Sequence, residues 1–394
     1  MSIASFETDA SPRRFAGRTW PTTAVAARKT IEFLAVGGAA LILLPLAMWL
    51  TGGDGESDAT YAISFGAFYA AYVINDPHFA SSYLIFYKNF KEKAFGDYLP
   101  SAERWRYRVA GIVAPVALLV WIAAIFALQS WYLAALLIHI MFITVGWHYV
   151  KQGFGVLSVL SSRDGVRFTA RERGVLLTHC YVGWIYGWSM AMAEPAMFEM
   201  DGIYYWSAAI GWTPIDVLKW SFWASGAAFL VVMGLKLRRE GRLPPIAALT
   251  GFLVSIWLWV VYTGINEGFD YVIPALHSIQ YFFFIWLLKS GQARDAASKP
   301  VEGARLDRFV YRISSAMTAR IVARLVLFAA TALALGWVLF HSGPEFFDGR
   351  AGYDWGVLGP TAAMAMFGAF VNIHHYFMDN VLWRRGNPDM QYLK

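Results

Sequence analysis

Stretches of about 20 mostly apolar residues recur along this chain, each long enough as a helix to cross roughly 30 Å of hydrocarbon. Ten qualify, at 31–51, 60–87, 109–128, 131–150, 174–194, 217–235, 244–264, 269–288, 321–341 and 355–383. The alternating segments of a membrane barrel do not recur. Composition agrees. Of 394 residues, 58% are hydrophobic and only 15% charged, with a mean hydropathy of +0.44. A soluble domain carries about 25% charged residues, and so little polar surface cannot cover a soluble core. A soluble enzyme and a disordered chain are both excluded. The expected fold is an all-α, polytopic integral membrane protein of ten transmembrane helices. Residues 31–383 form one membrane domain between cytoplasmic tails at 1–30 and 384–394.

Charge sorts the loops. With the N-terminus cytoplasmic, every Lys and Arg except Lys219 and Arg350 falls on or beside an inner segment. The outer loops hold the acids Asp54, Glu56, Asp58, Glu194, Glu199, Asp201, Asp216, Glu267, Asp270, Glu345, Asp348 and Asp354. Positive loops stay inside, so both termini are expected to be cytoplasmic, in a bacterial inner (cytoplasmic) membrane. The net charge of +6 then reflects orientation and contact with anionic membrane lipids, and no nucleic acid partner is implied. The 290–320 loop is long enough to hold a short surface helix. The lone Cys180 rules out an internal disulfide or a paired-cysteine metal knuckle.

The histidines carry the chemistry. Ionisable groups inside a bilayer are costly and mark function. His78, His148, His277 and the pair His374-His375 sit in spans 2, 4, 8 and 10, which all run in one direction. Their expected depth is the inner half or centre of the bilayer, with His148 near the inner boundary. Residues four apart share a helix face, and each position has a polar companion there: Ser82, Gln152, Tyr281 and Asp379. Asn372 adds a partner three residues before His375. Metal-bound imidazoles donate their other N–H to a carboxylate or carbonyl, a role open to Asp379 for His375, and to Asp76 for His78 if the helix breaks there. Pro77 and Pro274 kink or interrupt the helices that carry His78 and His277. His139, His179 and His341 are expected to be interfacial or hydrogen-bonded packing residues, with His139 and His179 in reserve as ligands. Trp147 and Tyr149 are expected in the interfacial aromatic belt.

Such a cluster suits Fe, Cu, Zn or Ni, and a set of neutral imidazoles suits non-haem Fe(II). Haem held by paired histidines, in a membrane electron carrier, is the alternative, as is another transition metal or a membrane transporter. No HxxxH or HxxHH box of the membrane desaturases is present.

Four segments add a resemblance. They are Asp76-Pro77-His78-Phe79-Ala80, Trp147-His148-Tyr149, Leu276-His277-Ser278 and Ile373-His374-His375-Tyr376-Phe377-Met378-Asp379. Their order resembles the Brp/Blh family of membrane β-carotene 15,15′-dioxygenases. The resemblance covers only these short motifs. It implies an all-helical membrane fold, iron held by His78, His148 and His277, dioxygen as co-substrate, and oxidative cleavage of a carotenoid. That family has a further ligating His four residues after its His-Ser segment, where this chain has Tyr281. The fourth ligand is then expected to be His375 or His374, or the site has only three. The resulting expectation is a His-coordinated oxygenase for a lipophilic substrate. Asp76, Asp379, Asn372 and Gln152 support its metal, and Tyr281 and Gln280 face metal or substrate.

Overall fold

In a computed structural model the chain is almost wholly helical. The structure describes residues 22–52, 57–200, 202–262, 272–298, 305–313, 316–350, 352–384 and 386–393. Residues 1–21 of the basic tail lie outside the described residues, as do Asp54, Glu56, Asp201, Glu267 and Asp270 of the acidic loops and Arg385 and Lys394 of the C-terminal tail.

Among the described residues, six helical segments are long and apolar enough to cross a membrane: Val25–Thr51, Ser101–Leu128, Trp131–Arg163, Trp212–Glu240, Val272–Ser298 and Met317–Asp348. The first joins α1 (Thr22–Phe33) to α2 (Ala39–Thr51) through a π-turn at Leu34–Gly38. The expected span 60–87 is instead two helices, α3 (Asp58–Ala71) and α4 (Asn75–Phe86). The break has a local cause. Pro77 has no N–H to give and tolerates only the first turn of a helix, so the helix restarts just before it. A short α5 (Phe90–Phe95) leads to α6 (Ser101–Arg108), which a second π-turn joins to α7 (Ala114–Leu128).

Helix α8 (Trp131–Arg163) runs for 33 residues. It continues well past the expected end at 150, which puts His148 near its middle. Helix α9 (Ala170–Ala191) starts with a capping box, Thr169 and Glu172 each satisfying the other's backbone N–H. A hairpin that the apolar pattern does not predict follows, β1 (Met197–Met200) with β2 (Ile203–Trp206), antiparallel. Gly202 takes its tight turn at φ 79°, a left-handed conformation that favours glycine. Then come α10 (Trp212–Glu240), α11 (Ile246–Tyr262), α12 (Val272–Ser298) and α13 (Arg305–Ile313). The last is the short helix expected in the 290–320 loop. Helix α14 (Met317–Trp337) passes through a π-turn at Val338–Ser342 into α15 (Gly343–Asp348). The tenth expected span resolves into α16 (Trp355–Leu358) and α17 (Ala362–Leu382).

The apolar interior has a large cluster around Tyr149, Phe252, Trp259, Tyr281 and Phe284. A second surrounds Leu137, Ile138, Met366 and Ala369. A thin third cluster has only Phe79, Val371 and Tyr376 as buried members. Helices α4, α8, α12 and α17 meet between them. Peripheral α14 is fastened to α4 at Gly336, where a Cβ would come within 2.8–3.0 Å of the Asp76–Pro77 backbone. Only glycine permits that approach.

Candidate metal centre

Each of these four meeting helices delivers one imidazole to a common buried cluster. His78 lies 4.6 Å from His375, 5.7 Å from His277 and 6.2 Å from His148, between ring centroids. His148 lies 5.0 Å from His277 and 4.9 Å from His375. None of the four is more than 5% exposed, so bulk water does not serve their ring nitrogens. The ligand atoms of His78, His148, His375 and Asp379 all lie within 4.8 Å of one another. That is close to the reach of two metal–ligand bonds of about 2.0–2.2 Å each. His277 stands at the edge of this set.

Hydrogen bonding leaves the same atoms open. The Nε2 atoms of His78, His148 and His277, both ring nitrogens of His375, and Oδ2 of Asp379 are buried without a hydrogen-bond partner. Buried polar atoms are nearly always paired. A collection of unpaired imidazole nitrogens and one carboxylate oxygen in a single place is a set of donors that could hold a metal ion. It contains no thiolate, and its chemistry fits a first-row transition ion.

The protein also fixes which nitrogen of His78 is free. Ser278 Oγ donates to Asn75 Oδ1 at 3.0 Å and lies 3.0 Å from His78 Nδ1. A hydroxyl has one proton. With that proton given to Asn75, Ser278 must accept from His78 Nδ1–H, which leaves Nε2 as a bare lone pair facing the cluster. Aromatic stacks set two more rings. His277 lies on Tyr149 at 3.9 Å and 12°. His148 lies on Tyr376 at 4.7 Å, and Tyr376 O–H is itself held by Asn372 Oδ1 at 2.9 Å. Tyr149 is therefore a buried neighbour of the centre, not a belt residue.

Asp379 does more than the spacing predicts. Its Oδ1 accepts from Ser82 at 2.8 Å and from Tyr281 at 2.9 Å, which brings the two hydroxyl oxygens against each other with both protons turned to the carboxylate. Its Oδ2 lies 3.5 Å from His375 Nε2. The carboxylate thus stands among the ligand atoms as well as behind His375. Tyr281 is at the edge of the centre, its ring 4.3 Å from His78, with its hydroxyl committed to Asp379.

Several expectations are corrected. His374 is not available as a ligand. Its Nδ1 pairs with Tyr83 Oη at 3.0 Å, and its Nε2 bonds the Ala110 carbonyl at 3.0 Å. His375, one residue on, faces the cluster. Asp76 does not serve His78, because α4 is intact there and residues two apart point to different faces. Asp76 Oδ2 pairs instead with His341 Nε2 at 2.8 Å, so His341 is a hydrogen-bonded packing residue, as expected, with α4 as its partner. Gln280 does not face metal or substrate. Its amide donates to the carbonyls of Val36 and Gly251 and accepts from Gln152 and Ser255, tying α12 to α8, α11 and the first π-turn. Gln152 serves the His277 carbonyl at 3.2 Å, not His148. Asn372 acts on His148 through Tyr376, not on His375. Of the reserve histidines, His179 pairs with Ser225 at 2.9 Å. His139 packs on Tyr205 and Trp206, outside the cluster.

Ser278, Asn75 and Tyr376 lie beyond what the spacing predicts. Only Asn75 carried a signal, three residues before His78 on the same face. Ser278 reaches His78 from another helix. No protein family, curated protein or solved structure matches the chain.

Proposed function

We propose that this chain is a membrane-embedded non-haem iron oxygenase acting on a lipophilic substrate, with oxidative cleavage of a carotenoid as the reaction that its resemblance implies. One observation carries the proposal: three imidazoles and a carboxylate, brought by α4, α8 and α17, present unpaired donor atoms to one buried point, with the His277 imidazole of α12 beside them. His78, His148, His375 and Asp379 would hold the ion, with His277 beside them. When bound, Fe(II) supplies the capacity to react with dioxygen. The balance of a carotenoid cleavage is simple: one C=C and one dioxygen give two carbonyl groups, with no external reductant. The residues perform the remaining tasks. Ser278 and Asn75 keep His78 Nε2 unprotonated. Ser82 and Tyr281 hold the Asp379 carboxylate in place. Tyr149 and Tyr376 lock two rings and exclude water, which keeps reactive chemistry from side reactions.

Haem fits less well. Its macrocycle needs a flat slot between two facing imidazoles, and here the other two imidazoles stand in that space. The ten-span order, proposed with both termini inside, draws support for its sorting of loops by end from which of them touch. Lys93 lies 3.7 Å from Asp389, both in expected inner segments, and Arg163 of an expected inner segment lies 3.1 Å from Glu32 at the expected inner end of span 1. The Asp354 N–H donates to Gln129 Oε1 at 2.7 Å, both expected outer segments.

Two measurements test the function. Purified protein should carry stoichiometric iron and show no Soret band. Expression in a carotene-accumulating bacterium should bleach the cells and form retinal. Protein without metal overturns the proposal. Iron-loaded protein that leaves carotene intact overturns the carotenoid reaction.

A further inference from the structure

A buried centre for a lipophilic substrate needs an entrance, and its walls are not equally thick. Behind His277 stands Tyr149, then Trp259, which is 1% exposed. Behind His148 stands Tyr376, held by Asn372. On the Tyr281 side a second ring, Trp383, follows at 5.4 Å. That path is shut by the hydrogen bonds joining Ser82, Tyr281 and Asp379, and it ends beside Arg384 in a polar segment. The remaining side is different. Phe79 lies 4.6 Å from His375, and Phe340 lies 5.0 Å from Phe79. Phe340 is half-buried, and its neighbours Val338 and Trp337 are exposed. Two phenyl rings, with no hydrogen bond between them, separate His375 from the apolar outer surface.

The surrounding structure matches an opening. These rings belong to the thin third apolar cluster, whose other members, Leu339, Phe367 and Phe370 among them, are mostly half-buried. Phe340 sits in the π-turn at Val338–Ser342, and such turns concentrate at functional sites. Helix α14 is the most peripheral of the six long segments, with 11% of its apolar window buried. The segment is pinned to α4 before and after Phe340 in sequence, by Gly336 and by the Asp76–His341 bond. A ring swing at Phe340 therefore needs no movement of the helix axis.

We infer that Phe79 and Phe340 form a lateral portal between α4, α14 and α17, through which an apolar chain passes from the bilayer interior to the metal centre. This rests on the proposed metal site but not on the carotenoid reaction. The test reads metal access rather than turnover. Iron-loaded protein in lipid nanodiscs is mixed with 1,10-phenanthroline, which partitions into the bilayer, or with a sulfonated water-soluble chelator, and the coloured iron complex is followed in time.

Phe340→Ala should speed extraction by phenanthroline several-fold, and Phe340→Trp should slow it, with the iron content at the start unchanged. Extraction by the sulfonated chelator should not respond to either. Trp220→Ala, a lipid-exposed change on α10, should behave as the parent. Phe79→Leu, which shrinks the inner ring but keeps its apolar packing, gives a second reading in the same direction as Phe340→Ala. Iron that is bound but leaves at the parent rate in all of these variants overturns the portal alone. So does equal acceleration with the water-soluble chelator, which would place the entrance on a polar path. A parent protein that binds no iron overturns both the metal site and the portal.

Discussion

Replacing Ser278 by Ala tests whether the centre is tuned by a proton and not only by packing. Ser278 is fully buried, and its hydroxyl is the acceptor 3.0 Å from His78 Nδ1. Without it, the metal-bound form keeps a buried N–H with no partner. The metal-free form escapes by moving the proton to Nε2, among the other imidazoles. The penalty for an unpaired buried donor is about 1–3 kcal/mol, and it falls on the bound state alone. At about 1.4 kcal/mol per tenfold, affinity should drop roughly 5- to 150-fold, which overlaps the 10–100-fold typical of changes behind a metal ligand.

The assay is a competition titration against a chelator of known affinity in detergent, with thermal unfolding of the metal-free protein as control. Ser278→Thr keeps the hydroxyl and should recover most of the loss. Asn75→Leu should also weaken binding although it touches no ligand, because Ser278 can then donate to His78 Nδ1 and drive the ring proton to Nε2. Unchanged affinity in both Ser278→Ala and Asn75→Leu would refute the tautomer argument.

Further expectations separate ligands from scaffolding. His375→Ala should abolish metal binding, whereas His374→Gln should retain metal and lose stability, since His374 is committed to Tyr83 and Ala110; metal analysis beside a thermal melt reads both. Asp379→Asn should weaken metal binding by about 10–100-fold, measured by the same competition. Gln280→Leu should lower the melting temperature while leaving iron stoichiometry intact, because it strips buried partners from Gln152, Ser255 and two carbonyls, each loss costing about 1–3 kcal/mol. Glu172 lies outside the spans. Burial alone would raise its carboxyl, but the Thr169 backbone N–H, Lys236, Arg239 and the Thr169 hydroxyl together hold it below the ordinary value. Its stabilisation is present above the unfolded value of about 4.3 and is lost as pH falls through the lower folded value. Glu172→Gln should therefore melt earlier than the parent at pH 7, and the two should converge in strong acid.

Helix by helix, the sequence disclosed whatever depends on one periodicity. Apolar length located the long helices, and spacing of four residues put Ser82 and Asp379 on the faces they occupy. Contacts between helices were hidden. Nothing in the order of residues tells that Ser278 of α12 serves His78 of α4, or that Asp76 turns away to His341. The break between α3 and α4 is marked by Pro77, yet the apolar run hides it. The hairpin at Met197–Trp206 was missed because its strands of four residues are too short for alternation to register.

The polar companions four residues after each histidine prove most instructive. The expectation gave each one to its own imidazole. Of the four, Asp379 alone approaches its own, and three reach across. Ser82 of α4 bonds Asp379 of α17 and lies against Tyr281 of α12, while Gln152 of α8 bonds the His277 carbonyl and Gln280 of α12. One helical turn is 5.4 Å, so these residues build a second polar layer beneath the imidazoles. Such a layer can close only if all four helices run in the same direction. In an antiparallel helix the residue four positions on would rise above the histidines instead of lying below them. The Ser82–Tyr281–Asp379 triangle thus ties the direction of α4, α12 and α17 together, and Gln152 adds α8. The proposed ten-span order, with an odd number of crossings between each pair, would meet that requirement. In that order the layer that steadies the cluster and the shared direction of its four helices are one constraint.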